Sequence, residues 1–314
     1  MIKKSVKNIV SKMGQVLVSA YDYNRTQKYI QLLEGISGRS EQTLNNDCSI
    51  VIFSKDRAMQ LDALLRSYFH FSMNAISVHI LYYASEKKFE RGYEELISIY
   101  ENKEVEFIEE KSFRPDLKGL FARITSSKVV FLVDDLFFKN TVDFKKFTAI
   151  DPKKYVASLR MGKHLTFSYT LQKKQKLPVL SESEEHKDML SWSFKDSELD
   201  WAYPLSVDGH LFDSNELKIL VNELEYIAPN SFEEALQLMN PLFNKRKGLC
   251  YPESILVNNP CNKVQSENNN ISGEMTTEEL NNKWLSGYRI DFEKQEGLLN
   301  ESAHQELIIE FIKR

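Results

Sequence analysis

The chain has 314 residues, of which 42% are hydrophobic and 27% charged, a size that suits one large α/β domain with appended segments. Its net charge of −4 lacks the basic field that nucleic-acid-binding proteins carry. Glycine is scarce, at 11 residues, and neither GxGxxG nor GxxxxGK[ST] occurs, which argues against a dinucleotide-binding fingerprint and against a P-loop.

The three cysteines show no CxxC or Cys/His spacing, so neither a zinc site nor a disulfide framework is indicated. A reducing cytoplasmic location is the simplest expectation for such a chain. No run of eighteen apolar residues is present that would predict a membrane-spanning helix.

Residues 1–45 are predicted as an N-terminal helical extension. Apolar side chains recur at helical spacing between Ile2 and Ala20, and lysines fill the remaining positions. Such a helix either packs on the domain or lies on an anionic membrane as a basic amphipathic helix. The second alternative would make the protein peripheral at the inner face of the membrane.

From residue 46 onward, short apolar runs alternate with segments of helical spacing. The predicted strands are 48–53, 76–83, 105–108 and 128–133, and the predicted helices between them are 59–69, 86–101 and 113–125. This alternation predicts the α/β class, with a Rossmann-type, mainly parallel sheet flanked by helices. Ligands of such sheets bind beyond the carboxyl ends of the strands.

The second half of the chain is less regular. It contains a predicted strand at 155–160, a polar and charged stretch at 172–198 that is expected to be a mobile loop, and predicted helices at 214–225, 231–240 and 276–285. Between the loop and these helices lies the aromatic-rich segment 201–212. No internal repeat or low-complexity linker is evident, which favours one main domain.

Two adjacent acids, Asp134 and Asp135, close the apolar run 128–133. A carboxylate at the mouth of a buried strand is costly to desolvate unless something pairs with it. A divalent cation is a natural partner, and oxygen ligands suit Mg²⁺ or Mn²⁺ bound together with a substrate phosphate. The alternative is a solvated Asp-Asp turn that merely ends the strand.

Polar side chains also follow two other predicted strands. Ser54–Arg57 come after the first strand and Tyr83 closes the second. With the acid pair, they place three polar clusters at one edge of the predicted sheet.

The run Phe53–Arg57, three β-α steps and the acid pair after a strand resemble the nucleotide-sugar glycosyltransferases of the GT-A fold. Segments around Arg160, 201–212 and 258–262 resemble those of family-2-like transferases of the bacterial polysaccharide type. The resemblance implies transfer of a sugar from a nucleotide-diphosphate donor to a glycan or lipid-linked acceptor in surface polysaccharide synthesis.

The resemblance also implies a domain layout. A GT-A-like catalytic domain over 46–250 would consist of a nucleotide-binding half, 46–145, and an acceptor half, 146–250. Residues 251–314 would form a C-terminal extension.

On the donor side, the resemblance makes Asp135 the last acid of the DXD signature and a ligand of Mn²⁺ or Mg²⁺, with Asp134 in contact with the ribose or the metal. Val133 stands where that signature has its first acid. The other donor-site residues implied are Ser54, Asp56 and Arg57 against the nucleotide and Tyr83 near the base. Arg57 could instead form a helix-start ion pair with Asp56 or Asp62.

An inverting transferase needs a general base for the acceptor hydroxyl, and Asp208 is the candidate. Its aromatic neighbours, Trp201 and Tyr203 among them, would desolvate it and raise its pKa. The alternative is that Asp208-Gly209 is a plain turn. His210 is either a further metal ligand or a core histidine, and Arg160 is a candidate for stabilising charge on the leaving group.

Two other functions compete with this one. A nucleotidyltransferase would carry a glycine-rich basic loop after the first strand, and Ser54–Leu61 contains no glycine. A non-catalytic carbohydrate-binding module on a decayed transferase fold would bind no uridine or guanosine diphosphate. The asparagines 258, 259 and 262 either bind substrate or cap a turn, and turn capping is the more common role.

Overall fold

The computed structural model describes residues 19–37, 44–262 and 275–314, and the chain divides into two compact units, Met1–Glu41 and Gln42–Arg314. In the first unit, helix α1 spans Ala20–Ser37 and follows Ser19, whose hydroxyl accepts a hydrogen bond from the Asp22 N–H. The predicted amphipathic helix near the N-terminus lies almost entirely outside the described residues. Within those residues, no helix combines the length and apolar character that a membrane crossing requires.

The second unit contains all the remaining helices and strands described. Its helices are α2 (Ala58–Phe71), α3 (Lys87–Tyr100), α4 (Phe113–Arg123), α5 (Phe144–Phe147), α6 (Ser214–Glu223), α7 (Pro229–Leu236), α8 (Asn240–Phe243) and α9 (Thr277–Leu285). Its strands are β1 (Asn45–Lys55), β2 (Ser72–Met73), β3 (Ser77–Tyr83), β4 (Val105–Glu109), β5 (Ser126–Val133), β6 (Leu136–Phe138), β7 (Val142–Asp143), β8 (Tyr155–Ser158), β9 (Phe167–Ser168), β10 (Lys173–Lys174), β11 (Ser181–Glu182), β12 (Leu190–Ser193), β13 (Leu211–Asp213), β14 (Lys247–Cys250), β15 (Leu256–Asn258), β16 (Tyr288–Ile290) and β17 (Phe311–Lys313).

The central sheet has five strands in the order β13-β5-β1-β3-β4. The four strands from β5 to β4 are parallel, and β13 joins the edge antiparallel to β5. Ile50 in β1 lies opposite Val78 on one side and Val130 on the other. Continuous apolar runs are typical of parallel strands that are buried on both faces. The predicted α/β class with a mainly parallel sheet is therefore confirmed.

Successive side chains of a strand point to opposite faces of the sheet, so strands that are apolar at every position need helices on both faces. Ile50 and Ile52 belong to the core cluster that includes Leu61 and Leu64 of α2. On the opposite face, Phe131 packs against aromatic rings of β1, α4, β13 and α7, namely Phe53, Phe121, Phe212 and Phe232. The four strands and three helices predicted in this half of the chain are all present.

The stretch 172–198 is more ordered than its composition predicts. It contains β10, β11 and β12, and β12 pairs with β14 in a second sheet of order β11-β12-β14-β8. The Trp192 ring of β12 lies so close to Gly248 of β14 that a Cβ atom at Gly248 would come within 2.2 Å of it. These strands have two to four residues each, too few for an alternating pattern to be recognised.

The segment predicted as a C-terminal extension belongs to the same compact unit as the sheet. Strand β15 pairs with β6, directly after the acid pair. Helix α9 begins with a capping box between Thr276 and Glu279, and its Trp284 Nε1–H donates to the Gly92 carbonyl in α3 at 3.0 Å. The structure therefore shows no division between compact units at residue 250.

Candidate active site

A cavity of about 380 Å³ opens at the carboxyl edge of the parallel sheet. Residues at the ends of β1, β3 and β5 line one side of it, including Arg57, Tyr83 and Asp134. The turn that carries Asp208 lines the other side. This volume lies within the usual range for small-molecule sites, and the position is the one expected for ligands of open α/β sheets.

Arg57 pairs with both acids of the Asp134–Asp135 pair. Its Nη1 lies 2.9 Å from Asp134 Oδ1 and 2.9 Å from Asp135 Oδ2. Arg57 follows β1 and the acids follow β5, its hydrogen-bonded neighbour, so the sheet brings these three side chains together. The helix-start ion pair considered for Arg57 is not formed, since the Asp56 carboxylate accepts from Ser85 and Asp62 contacts Arg66 and Arg289.

Two asparagines fix this ion cluster. Asn258 Nδ2 donates to Asp135 Oδ1 at 2.8 Å, and Asn262 Oδ1 accepts from Arg57 Nε at 2.8 Å. The remaining oxygen, Asp134 Oδ2, accepts from the Lys55 backbone N–H at 3.0 Å. All four carboxylate oxygens of the acid pair thus accept a hydrogen bond. Turn capping was the expected role of these asparagines, but the structure gives them side-chain contacts with the ion cluster.

Burial and charge shift the pKa values of Asp135 and Arg57. Burial raises the pKa of Asp135 to about 6, with Arg57 opposing the shift and the charges of Asp134 and Asp208 adding to it. Burial alone would lower the pKa of Arg57, but the two acids raise it above its ordinary value. The guanidinium therefore stays charged, while Asp135 is held near the point at which it could take up a proton.

The other donor-side residues are divided between the cavity wall and the scaffold. Ser54 lines the cavity, and its hydroxyl lies 2.7 Å from the Tyr93 hydroxyl. Tyr83 lines the cavity with its ring partly exposed. Asp56 adopts a φ of +56°, and its carboxylate accepts two hydrogen bonds from Ser85, at 2.7 Å and 2.8 Å, in a local structural role.

Asp208 lies in a turn that precedes β13, and Gly209 in that turn has a φ of +82°, which favours glycine. The turn considered for Asp208-Gly209 is therefore present, and Asp208 lines the cavity. Asp208 Oδ2 lies 3.1 Å from His304 Nε2 and 3.4 Å from Arg160 Nη1.

The pKa of Asp208 is lowered, not raised as its apolar neighbours suggested. Burial would raise this pKa, but the hydrogen bond and charge of His304 and the charge of Arg160 lower it below its usual range. Burial would likewise lower the pKa of His304, and Asp208 raises it instead. An ionised carboxylate facing a protonated imidazole is the arrangement that these shifts favour.

The other catalytic candidates lie behind the cavity wall. His210 is 2% exposed, its Nδ1–H donates to the Pro204 carbonyl at 3.1 Å, and burial lowers its pKa to about 3. Arg160 is buried and contacts Asp208. Neither lines the cavity, and Trp201 is fully buried with its indole N–H on the Leu165 carbonyl.

Three cavity residues carry no recognisable signal in the sequence: Glu110, Glu233 and His304. His304 contacts an acid 96 positions earlier, a separation that no local spacing reveals. Glu233 accepts a hydrogen bond from the Val207 N–H at 3.2 Å, and burial together with the charge of Asp208 raises its pKa to about 7.

The donor set of the acid pair fits a hard divalent cation, because both carboxylates line the cavity and each oxygen has a second lone pair. Within residues 19–37, 44–262 and 275–314, no group of three or more His, Cys, Asp or Glu side chains is arranged to hold a metal ion. A cation at Asp134 and Asp135 would therefore need further ligands from a bound phosphate, which is the usual way in which Mg²⁺ is held.

No protein-family model matches this chain. The chain is 27% identical over 195 aligned residues to the bifunctional glycosyltransferase pgtA of Dictyostelium discoideum, a match that covers 56% of this chain. The match covers 25% of that protein, so the chain spans about a quarter of the relative's length.

Two solved structures are loosely similar. A crystal structure of residues 1–349 of S. aureus TarS has a TM-score of 0.41 and 13% identity, covering 67% of this chain and 59% of that one. GalNAc-T7 in complex with UDP, GalNAc and Mn²⁺ has a TM-score of 0.44 and 9% identity, covering 68% of this chain and 43% of that one. These TM-scores are too low to carry an argument about fold or function.

Proposed function

We propose that this protein is an enzyme, a GT-A-like glycosyltransferase that uses a nucleotide-diphosphate sugar as donor. The observation that carries the proposal is one cavity with two separate carboxylate clusters, the acid pair with Arg57 on one side and Asp208 with His304 on the other. Sugar transfer needs one group to receive the leaving diphosphate and another to receive a proton. The similarity to pgtA, a bifunctional glycosyltransferase, supports the same reaction class.

The donor diphosphate would lie at the acid pair. Mn²⁺ or Mg²⁺, held by Asp135 and Asp134 together with the diphosphate, would neutralise the negative charge of the leaving group. Arg57 holds both carboxylates in position and adds a fixed positive charge at the same place.

The acceptor hydroxyl would face Asp208. In an inverting transfer, the bond from the sugar C1 to the diphosphate oxygen breaks, a new C1–O bond forms to the acceptor, and the hydroxyl proton goes to Asp208. His304 and Arg160 position this carboxylate and keep it ionised, which is the state that a base requires.

We further propose a glycan or lipid-linked acceptor, in surface polysaccharide synthesis. The cavity wall also includes Tyr169 and Ile227, and Ile227 is 77% exposed. An aromatic ring and an exposed aliphatic side chain suit a sugar face or an acyl chain.

A thermal-shift assay tests the donor site. Uridine, guanosine, cytidine and thymidine diphosphates would be added with and without Mn²⁺ to the wild type, to Asp135→Asn and to Asp188→Asn as a control at an exposed carboxylate. We expect a Mn²⁺-dependent rise in melting temperature for one nucleotide class, lost in Asp135→Asn and kept in the control. A ligand present at 100 times its dissociation constant raises the free energy of unfolding by about 2.7 kcal/mol.

The base is tested by turnover. Asp208→Asn should reduce sugar transfer by about 10²–10⁴-fold while leaving nucleotide binding intact, because the side chain keeps its shape but can no longer accept the proton.

In the thermal-shift assay, a rise in melting temperature that does not need Mn²⁺ and persists in Asp135→Asn would remove the metal role. The absence of any shift would instead favour the non-catalytic binding module.

A further inference from the structure

The cavity wall along the edge of the sheet includes Lys55, Tyr83 and Glu110. Lys55 ends β1, Tyr83 ends β3 and Glu110 follows β4. In the order β5-β1-β3-β4, the end of β4 is three strand spacings from the acid pair, about 14 Å. If the diphosphate of the proposed donor lies at the acids, its nucleoside extends toward Glu110.

Lys55 and Glu110 have side chains of opposite charge, and neither forms a salt bridge with any other described residue. Among the described residues, no hydrogen bond or salt bridge involves the Glu110 carboxylate, and the Lys55 ammonium contacts only the Tyr83 ring, at 5.7 Å from its centroid. Burial raises the pKa of Glu110 to about 7, with Asp116 adding to the shift and Lys55 opposing it. Partly buried polar groups without partners in a cavity wall are suited to hydrogen-bond a ligand.

The neighbouring acid, Glu109, does not line the cavity. Glu109 is exposed, and its carboxylate lies 3.6 Å from Lys111 outside the cavity. The two glutamates are consecutive and chemically identical, yet only Glu110 lines the cavity wall. Glu109 is therefore a matched control for any effect of charge alone.

We propose that Lys55 and Glu110 select the base of the donor nucleotide, favouring bases that present a carbonyl oxygen beside a ring N–H. This inference rests on the proposed glycosyltransferase function. The ammonium donates to the carbonyl oxygen, and the carboxylate accepts from the adjacent N–H. Uracil, thymine and guanine have this edge. Adenine and cytosine instead place an amino group beside a ring nitrogen that carries no hydrogen. In the same orientation, their amino donor would face the Lys55 ammonium and their ring acceptor would face the Glu110 carboxylate.

Isothermal calorimetry on the full chain tests the proposal, with the diphosphates of uridine, guanosine, 2′-deoxyuridine, adenosine and cytidine and with inorganic pyrophosphate, all with Mn²⁺. The proteins are the wild type, Glu110→Ala, Glu110→Gln and the control Glu109→Ala. We expect the wild type to bind at least one of uridine and guanosine diphosphate about tenfold or more tighter than the adenosine and cytidine diphosphates.

In Glu110→Ala, affinity for the preferred nucleotide should fall about tenfold, the scale of one hydrogen bond to a charged group, while pyrophosphate binding stays unchanged. Glu110→Gln should lose affinity in the same direction, and Glu109→Ala should match the wild type.

Equal binding of all nucleosides, no effect of Glu110→Ala, or an equal loss for pyrophosphate would overturn base selection. A loss seen with uridine diphosphate but absent with the 2′-deoxy form would assign Glu110 to the ribose and would also overturn it. If neither pyrophosphate nor any nucleotide binds, the proposed function itself is overturned, so the two failures are distinguishable.

Discussion

Arg57 is the residue on which the charge balance of the cavity depends. It is buried, and its guanidinium donates to Asp134, Asp135 and two oxygens of Asn262. A buried ion pair adds little net stability when it is complete, but removal of one partner leaves uncompensated charge in a low-dielectric site. Asp134 and Asp135 would then repel each other with no cation between them.

Arg57→Ala should therefore lower the free energy of unfolding by about 3–5 kcal/mol, measured by urea denaturation. Arg114→Ala is the control, because Arg114 forms its salt bridge with Glu225, whose side chain is 71% exposed, and such pairs contribute about 1 kcal/mol or less. Equal losses of unfolding free energy in the two variants would show that removal of Arg57 leaves no costly uncompensated charge on Asp134 and Asp135.

Glu233 gives a prediction about pH. Its folded-state pKa of about 7 lies above the ordinary value of 4.5, so the folded state binds more protons between those values, and stability falls as pH rises from about 4.5 through about 7. Glu233→Gln removes this loss while keeping the acceptor for the Val207 N–H.

The melting temperature of Glu233→Gln relative to the wild type should therefore increase between pH 5 and pH 8. Glu234→Gln, at the adjacent exposed position, should show a constant difference over the same range. A flat profile for Glu233→Gln would mean that this carboxyl titrates normally.

At the scale of elements, the close approach of β12 and β14 depends on a missing side chain. Trp192 is held over Gly248, with its indole N–H on the Trp201 carbonyl at 2.9 Å. The ring is buried and cannot swing aside without breaking that bond. An added methyl group at Gly248 must therefore push the two strands apart.

Gly248→Ala should destabilise the protein by about 1–3 kcal/mol, the usual cost of overpacking. Gly119→Ala is the opposite case, since Gly119 lies within α4 and no heavy atom other than those of its own helix and chain neighbours lies within 4 Å of its added Cβ. Alanine there should stabilise by about 0.5–1 kcal/mol. Chemical denaturation of both variants checks the signs, and a loss at both positions would contradict the packing argument.

The regular elements of the first half were predictable because each has its own local pattern. The run from Ile50 to Phe53 is apolar throughout, and α2 repeats its apolar residues at helical spacing. The partners of the acid pair were not predictable in this way. Asn258 lies 123 positions from Asp135, and Asn262 lies 205 positions from Arg57, so only the folded chain connects them.

Asp208 illustrates a different limit. Its aromatic neighbours in the sequence suggested desolvation and a raised pKa, and burial is indeed present. The direction of the shift was decided by His304, which lies far along the chain. The sequence therefore indicated the residue, whereas its protonation state depended on a contact visible only in the structure.

For the whole molecule, the described residues that line the cavity all belong to the unit Gln42–Arg314, and they include residues from both ends of that unit. Ser54 comes from β1 and His304 from the stretch before β17. The cavity is thus assembled from distant parts of one unit, and cuts at different places should have different effects.

Deletion of residues 1–41 should leave nucleotide affinity unchanged, because no cavity residue is removed. Deletion of residues 301–314 removes His304 and β17, which pairs with β16, and it should lower the melting temperature and weaken turnover. Calorimetry and thermal melting of the two truncated forms provide the comparison. A deletion of 301–314 that behaves like the wild type would show that this segment is dispensable.

The position of β4 has a consequence for how molecules meet one another. It is the last strand in the order of the central sheet, so one side of its backbone is left without a neighbouring strand among the described residues. Two of its five residues are Glu106 and Glu109. A second molecule that docked its own β4 there in parallel register would bring Glu109 beside Glu109, and neighbouring like charges disfavour such pairing. The edge that could nucleate fibrous growth thus carries the charges that oppose it.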